Sequence, residues 1–140
     1  MDGVLVVDKP KGLTSHDVVS RVRRALGTKR VGHVGTLDPM ATGVLPLVIG
    51  RATRLATLLS VGPKTYAAVI RLGIVTDTYD VTGSVMSSAP GKTTGADITL
   101  DAIKAASRRF VGTFHQQPPP FSAKKIRGVR AYRLARRRQP

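Results

Sequence analysis

Short apolar segments separated by glycine and proline determine which folds this chain can adopt. Residues 3–7 have the apolar character of a short buried strand, and the proline and glycine of DKPKG (8–12) end it. A helix is predicted next, over residues 14–26, and either Thr14 or Ser15 can cap it. Its apolar stripe consists of Val18, Val19, Val22 and Leu26. The chain therefore begins as a strand followed by an amphipathic helix.

The remaining elements alternate irregularly. The pattern predicts a glycine-rich loop over 29–43, strands over 44–50 and 65–73, helices over 51–60 and 100–110, and a long surface loop or hairpin over 76–97. A further strand is predicted to begin at residue 110 and to run into a proline-stiffened loop. In the helix at 51–60 the residues expected to face inward are Leu55, Leu58 and Leu59. With no internal repeat, this order indicates an α+β fold rather than a doubly wound one. A length of 140 residues suits one domain.

The charge of the chain is strongly positive. It has 23 lysines and arginines against 8 acids, a net charge of +15, and the most basic part is residues 122–140. Such a surface attracts polyanions, so nucleic acid is the expected partner. All eight acids are aspartates, which leaves few candidates for a general base.

Several classes of protein are excluded by what the sequence lacks. There is no cysteine for disulfides or thiolate chemistry, and no apolar run long enough for a membrane span or a signal peptide. GKTT (91–94) lacks the first glycine of a phosphate-binding loop, because position 86 is methionine. The histidines His16, His33 and His115 are far apart in the sequence. We therefore expect no metal site.

One carboxylate stands out in the stretch VGHVGTLDPMATGVLPL (31–47). Asp38 precedes a proline, and Asp-Pro alone is ordinary turn chemistry. Three glycines at positions 32, 35 and 43 would also let a flat ligand approach the backbone closely. In a chain whose charge favours nucleic acid, a carboxylate on such a loop suggests nucleophilic or base chemistry on a nucleotide.

The same stretch resembles the signature of the TruB-type pseudouridine synthases. Its core is GHVGTLDPMATGVLPL (32–47), and other segments agree in order: VDKPKGLTS (7–15), KTY (64–66), RLGIVTDTYDVTG (71–83) and the proline-rich segment with its following helix (116–136). The resemblance implies a mixed, mainly antiparallel sheet with flanking helices. It also implies the N-terminal portion of a catalytic domain over residues 1–140.

By this resemblance Asp38 is the catalytic residue. The family converts uridine 55 in the T-loop of tRNA to pseudouridine without a metal or cofactor. Whether the aspartate adds to the sugar or removes a sugar proton stays open. The resemblance further implies a cytoplasmic monomer that binds the T-arm of tRNA.

The resemblance also assigns substrate contacts. Tyr66 corresponds to the tyrosine that packs on the flipped base, and His33 to the histidine beside the substrate loop. Lys9, with Pro10, matches a Lys-Pro motif that either supports the active-site loop or contacts RNA. The candidates for phosphate contacts are Arg21, Arg23, Arg24, Lys29 and Arg30, which are expected to face outward.

One family motif is missing from the sequence. The family domain continues into a Gly-Thr-Tyr-Ile-Arg motif whose arginine pairs with the catalytic aspartate, and no such string occurs in residues 1–140. This predicts a truncated product of marginal stability that is at best a poor enzyme. Two alternatives stay open, a guide-RNA-dependent branch of the family and a non-catalytic RNA-binding module or tRNA chaperone.

Overall fold

The computed structural model describes residues 1–88, 98–117, 119, 121 and 125–136. The chain divides into two compact units, Met1–Ala67 and Ala68–Pro140. The candidate site residues predicted above all lie in the first unit.

The first unit is a three-stranded antiparallel sheet with helices. Its elements in chain order are strand β1 (Gly3–Lys9), helix α1 (Ser15–Leu26), strands β2 (Val31–His33) and β3 (Gly43–Ile49), a 3₁₀ helix (Gly50–Leu55) and the short helix α2 (Ala56–Leu59). The strand order is β1-β3-β2, so β3 is central. Its register places Leu47 opposite Leu5 and Leu45 opposite Val7.

The core lies between one face of this sheet and helix α1. Buried residues from α1, β2 and β3 form it, and they are Val18, Val19, Val31, Leu45, Leu47 and Ile49. Alternate residues of a strand share a face, which is why Leu45, Leu47 and Ile49 point the same way. Leu37 packs against this cluster from the loop between β2 and β3. That loop is therefore attached to the core by a side chain of its own.

Helix α1 has clear boundaries at both ends. The Thr14 side chain accepts a hydrogen bond from the backbone of Asp17, and the Asp17 carboxylate accepts one from the backbone of Thr14. This reciprocal capping box satisfies amides that the first helical turn leaves without partners. Gly27 ends the helix in the left-handed conformation, with φ of 61°. The helix predicted from sequence is confirmed.

The second unit contains two antiparallel hairpins and two helices. Its elements are strands β4 (Ile74–Thr76) and β5 (Val85–Ser88), helix α3 (Leu100–Ser107) with a 3₁₀ turn (Arg108–Phe110), strands β6 (Lys125–Ile126) and β7 (Val129–Arg130), and helix α4 (Ala131–Arg136). The fold class predicted from sequence, antiparallel sheets with flanking helices, is confirmed. Every strand pairing in the described residues is antiparallel. The longest described helix has 12 residues, and none could cross a bilayer.

Two predicted strands are wrong. Residues 65–73 and 111–117 form no strand, although 65–73 has the strongest strand pattern in the sequence. A strand needs a backbone partner, and the described residues provide none for 65–73. Val69 of this segment is fully exposed. The pattern of side chains shows that a segment is suited to a sheet, but a strand forms only where its backbone pairs with that of another strand.

Other expectations need smaller corrections. Strand β2 lies inside the stretch 29–43, which was expected to be loop throughout. The helix at 51–60 begins as a 3₁₀ helix, and its three leucines are exposed rather than inward. The hairpin expected within 76–97 is formed by β4 and β5, but residues 89–97 lie outside the described part. So do most of the proline-rich segment (118, 120 and 122–124) and the basic end (137–140).

Candidate active site

Asp38 lies at the surface of the loop that joins β2 to β3. Its side chain is exposed, and its carbonyl accepts a hydrogen bond from the amide of Ala41 at 3.0 Å, which closes a tight turn. Within the described residues no hydrogen bond or ion pair engages the carboxylate itself. The carboxylate is therefore accessible to a ligand.

The residue before Asp38 is held by a buried serine. The amide of Leu37 donates to Ser15 Oγ at 3.0 Å, and the Ser15 hydroxyl donates back to the Leu37 carbonyl at 3.2 Å. Ser15 is only 2% exposed. Both backbone polar groups of Leu37 are thus satisfied by one side chain.

The residue after Asp38 is held from the same segment of chain. The Pro39 carbonyl accepts from the amide of Gly12 at 2.7 Å and from Lys9 Nζ at 3.4 Å. Lys9 Nζ also donates to the carbonyls of Leu13 at 2.7 Å and Pro10 at 3.0 Å. Asp38 is consequently bracketed on both sides by residues 9–15.

Lys9 itself is inaccessible, with 0% of its side chain exposed. Burying an ammonium group without partners is costly, and here three carbonyl oxygens replace its water. This placement favours support of the loop over contact with RNA, the two roles that sequence left open.

A pocket of about 430 Å³ lies beside this loop within the first unit. Its walls are residues 34–37 of the loop, residues 42–46 at the start of β3, and residues 59–60 and 62–66. Gly35 has φ of 84°, and a Cβ there would lie 3.2 Å from Cε of Lys64. Glycine therefore permits both the backbone turn and the close approach of Lys64.

Two predicted substrate contacts lie around the pocket. Tyr66 is one of its lining residues and is 62% exposed, on extended chain rather than on the predicted strand. His33 ends β2 and is half-buried, with Nδ1 2.6 Å from the carbonyl oxygen of Gly35. Because a carbonyl can only accept, Nδ1 carries the proton in this contact.

The candidate phosphate contacts separate into two groups. Arg23 is half-buried, and its Nη2 donates to the carbonyl of Val31 at 2.8 Å, so it ties α1 to β2. It does not face outward as sequence predicted. The exposed members of the set are Arg21, Arg24, Lys29 and Arg30. These four are accessible to a polyanion.

Sequence reasoning missed Ser15 and Gly12 as supports of the loop. Either Thr14 or Ser15 could cap the helix by type, and the structure assigns that role to Thr14. Once Thr14 is the cap, the hydroxyl of Ser15 is free for a contact across 22 residues of chain. Both residues lie in the segment KPKGLTS (9–15), but nothing in this segment points to a contact with Leu37.

Comparison with known proteins identifies the family. The model of the TruB family pseudouridylate synthase (N terminal domain) matches residues 23–140, most of the chain. The chain belongs to this family. The TruB assignment made from sequence is therefore confirmed.

Curated tRNA pseudouridine synthases are similar to this protein over nearly the whole of its chain. The tRNA pseudouridine synthase B of Mycobacterium tuberculosis (strain ATCC 25618 / H37Rv) is 55% identical over 96% of this chain and 44% of the relative. That of Thermobifida fusca is 54% identical over 96% of this chain and 45% of the relative. The TruB-family chain thus spans less than half the length of these relatives.

A solved structure was also matched. It is described as an H/ACA RNP bound to a substrate RNA containing 2′-deoxyuridine, and it is 46% identical over 40% of this chain and 18% of that chain, with a TM-score of 0.39. The aligned part is too small to define a common fold.

In the described residues no group of three histidine or aspartate side chains is placed to hold a metal ion.

Proposed function

We propose that this chain is the N-terminal part of a tRNA pseudouridine synthase that isomerises uridine 55 of the T-loop, with Asp38 as its catalytic residue. The observation that carries the proposal is the exposed Asp38 carboxylate on a loop anchored on both sides, next to a pocket. The names of the relatives, which are similar over 96% of the chain, support the same reaction.

The reaction conserves every atom of the nucleotide. The C1′–N1 bond breaks, the uracil rotates, and a C5–C1′ bond forms. The proton on C5 is then lost, and N1 ends with a proton. Asp38 serves this exchange either by adding to C1′ and leaving again or by removing and returning a sugar proton. Both roles need a carboxylate that reaches the sugar, which the exposed position of Asp38 supplies.

The target base has to leave its stack before it can react. Extruding a base costs a few kcal/mol, so contacts in the site must offset that cost. Tyr66 at the rim of the pocket offers a face for stacking, worth about 1–3 kcal/mol per base. We place His33 beside the extruded nucleotide, with Nδ1 committed to Gly35 and Nε2 available to the substrate.

Phosphate contacts fix the register of the RNA. We assign them to the exposed residues Arg21, Arg24, Lys29 and Arg30, and we leave Arg23 to its contact with β2. Lys9 acts through the loop rather than on RNA. We further propose that the protein works as a cytoplasmic monomer.

The test is pseudouridine formation in a synthetic T-arm hairpin, mapped chemically at each uridine. Two proteins are assayed, the 140-residue chain and the same chain joined to the segment of the M. tuberculosis relative that the match does not cover. We expect Asp38→Asn to abolish conversion and to leave RNA binding intact. Asp8→Asn, an equal charge change at an exposed position of β1, should retain conversion. Conversion by the Asp38→Asn protein would overturn the assignment.

A further inference from the structure

The hydroxyl of Ser15 is not needed by the helix that it begins. The start of α1 is capped by Thr14, whose side chain accepts from the amide of Asp17, and the Asp17 carboxylate accepts from Thr14 in return. Ser15 is the first helical residue, one position beyond the cap. Its side chain points instead to the loop that carries Asp38.

The burial of this hydroxyl makes its hydrogen bonds matter. At 2% exposure of Ser15 the hydroxyl cannot turn to bulk water for a partner, so its hydrogen bonds go to the half-buried Leu37. The two hydrogen bonds, 3.0 Å from the Leu37 amide and 3.2 Å to the Leu37 carbonyl, use the hydroxyl as acceptor and donor at once. Removing the hydroxyl would leave both backbone groups unpaired.

The link from Leu37 to the carboxylate is covalent and short. The Leu37 carbonyl belongs to the planar peptide unit that also contains the nitrogen and Cα of Asp38. Holding that oxygen therefore holds the first atoms of Asp38. The Gly12 amide holds the Pro39 carbonyl on the far side, at 2.7 Å. The backbone is therefore held on both sides of Asp38, while no hydrogen bond or ion pair in the described residues engages its side chain.

We propose that Ser15 is a positioning residue for Asp38. Ser15 affects the reaction by holding the backbone of Leu37. The inference rests on the proposed function for its kinetic consequence, but not for the contact itself. A catalytic group displaced by about 1 Å can lose about a hundredfold in rate. Loss of the Ser15 hydroxyl should therefore lower kcat and leave KM for the RNA nearly unchanged, since Ser15 is too buried to touch RNA.

A merely structural role for Ser15 predicts something different. If the hydroxyl only stabilised the start of α1, its loss would resemble the loss of the true cap. Thr14→Ala is the matched control, because it removes the capping hydroxyl without touching Leu37. Ser15→Thr is the conservative variant, because it keeps a hydroxyl at the same position.

The first measurement is amide hydrogen exchange of Leu37 by NMR in the 140-residue chain, which needs no catalytic activity. In the unmodified chain we expect the Leu37 amide to exchange at least about tenfold more slowly than in an unstructured peptide, although it lies in a loop. Ser15→Ala should raise its exchange rate about tenfold or more, while Thr14→Ala and Ser15→Thr should keep it slow. Fast exchange of Leu37 in the unmodified chain, or no change in Ser15→Ala, would overturn the proposal.

The second measurement is steady-state conversion of the T-arm hairpin by the extended protein. We expect kcat of Ser15→Ala to fall about 10- to 100-fold with KM within about twofold, and Ser15→Thr to restore most of kcat. An equal fall in kcat for Thr14→Ala would overturn the positioning role. If the unmodified protein converts no RNA, the proposed function fails, and Leu37 exchange still decides whether Ser15 holds the loop.

Discussion

Asp38 is placed by the neighbours of its backbone rather than by any contact of its carboxylate in the described residues. Ser15 holds Leu37, Gly12 and Lys9 hold Pro39, and the Ala41 amide closes the turn. Preorganisation of this kind fixes a reactive group before substrate arrives, so little of the binding energy is spent on ordering the loop.

Lys9 offers the first test at the scale of single residues. Lys9→Met keeps a long apolar chain but removes the donor shared by the carbonyls of Pro10, Leu13 and Pro39. Because the carbonyls of Pro10 and Leu13 then lose the donor that the chain supplies, while Pro39 keeps the Gly12 amide, we expect the free energy of unfolding to fall by about 1–3 kcal/mol. Urea denaturation measures it. Lys11→Met is the control, since Lys11 is exposed, and it should change stability by less than about 0.5 kcal/mol. Equal losses in the two variants would contradict the role given to Lys9.

Part of this site could be predicted from the sequence. The resemblance of the stretch around Asp38 to a family signature singled out Asp38, Tyr66, His33 and Lys9, and the structure locates these in the Asp38 loop, in its support and along the adjoining pocket. Their catalytic and binding roles remain predictions. The Ser15 contact could not be read from sequence, because it joins residues 22 positions apart through backbone atoms that every residue possesses.

At the scale of elements, helix α1 connects the core to the loop. One face carries Val18 and Val19 into the core, while its first residue holds Leu37. The sequence predicted this helix well because its stripe, its cap and Gly27 all act locally. It predicted residues 65–73 poorly, because a strand depends on a partner that local pattern does not reveal.

The capping box of α1 makes a prediction about acid. Hydrogen bonds from the Thr14 hydroxyl and the Thr14 amide lower the pKa of Asp17 below its usual value of 3.8. The folded pKa is therefore the lower one, so the stabilisation is present above about pH 4 and is lost as pH falls through the folded pKa. We expect Asp17→Asn to be less stable than the unmodified chain at pH 7, with the difference shrinking in acid.

Urea midpoints of the two proteins at several pH values between neutral and acid measure this difference. Asp101→Asn, in the first turn of α3, is the control for a general effect of removing one aspartate near a helix start. A difference between Asp17→Asn and the unmodified chain that stays constant with pH would contradict a contribution from the ionised carboxylate.

At the scale of the whole molecule, the excess of bases over acids is shared by both compact units. A net charge of +15 on 140 residues attracts any polyanion without sequence preference. Under the proposed function, charge supplies affinity for RNA, whereas the choice of uridine is assigned to the pocket and to Asp38.

The share of charge in RNA binding can be measured by its salt dependence. If about five to eight basic groups contact phosphates, the logarithm of affinity should fall with the logarithm of salt concentration at a slope of about −4 to −6. Fluorescence anisotropy of a labelled T-arm hairpin gives this slope. Replacing Arg21 and Arg24 together by glutamine should make the slope shallower by about 2, since each removes about one contact.

Replacing Arg108 and Arg109 of the second unit by glutamine is the matched control for net charge. An equal change of slope would show that charge number matters and position does not. Affinity that does not vary with salt would contradict nucleic acid as the partner.

The most direct test of the central claim follows the hydrogen on C5 of the target uridine. Forming the C5–C1′ bond expels that hydrogen, so a T-arm hairpin labelled with tritium at C5 releases tritium to water only when isomerisation occurs. With the extended protein we predict release of one tritium per hairpin from the unmodified form, and none from Asp38→Asn at equal RNA occupancy. Equal release by the two proteins would contradict the account, because the Asp38 carboxylate, whose backbone neighbours Ser15, Gly12 and Lys9 hold, would then have no part in the chemistry.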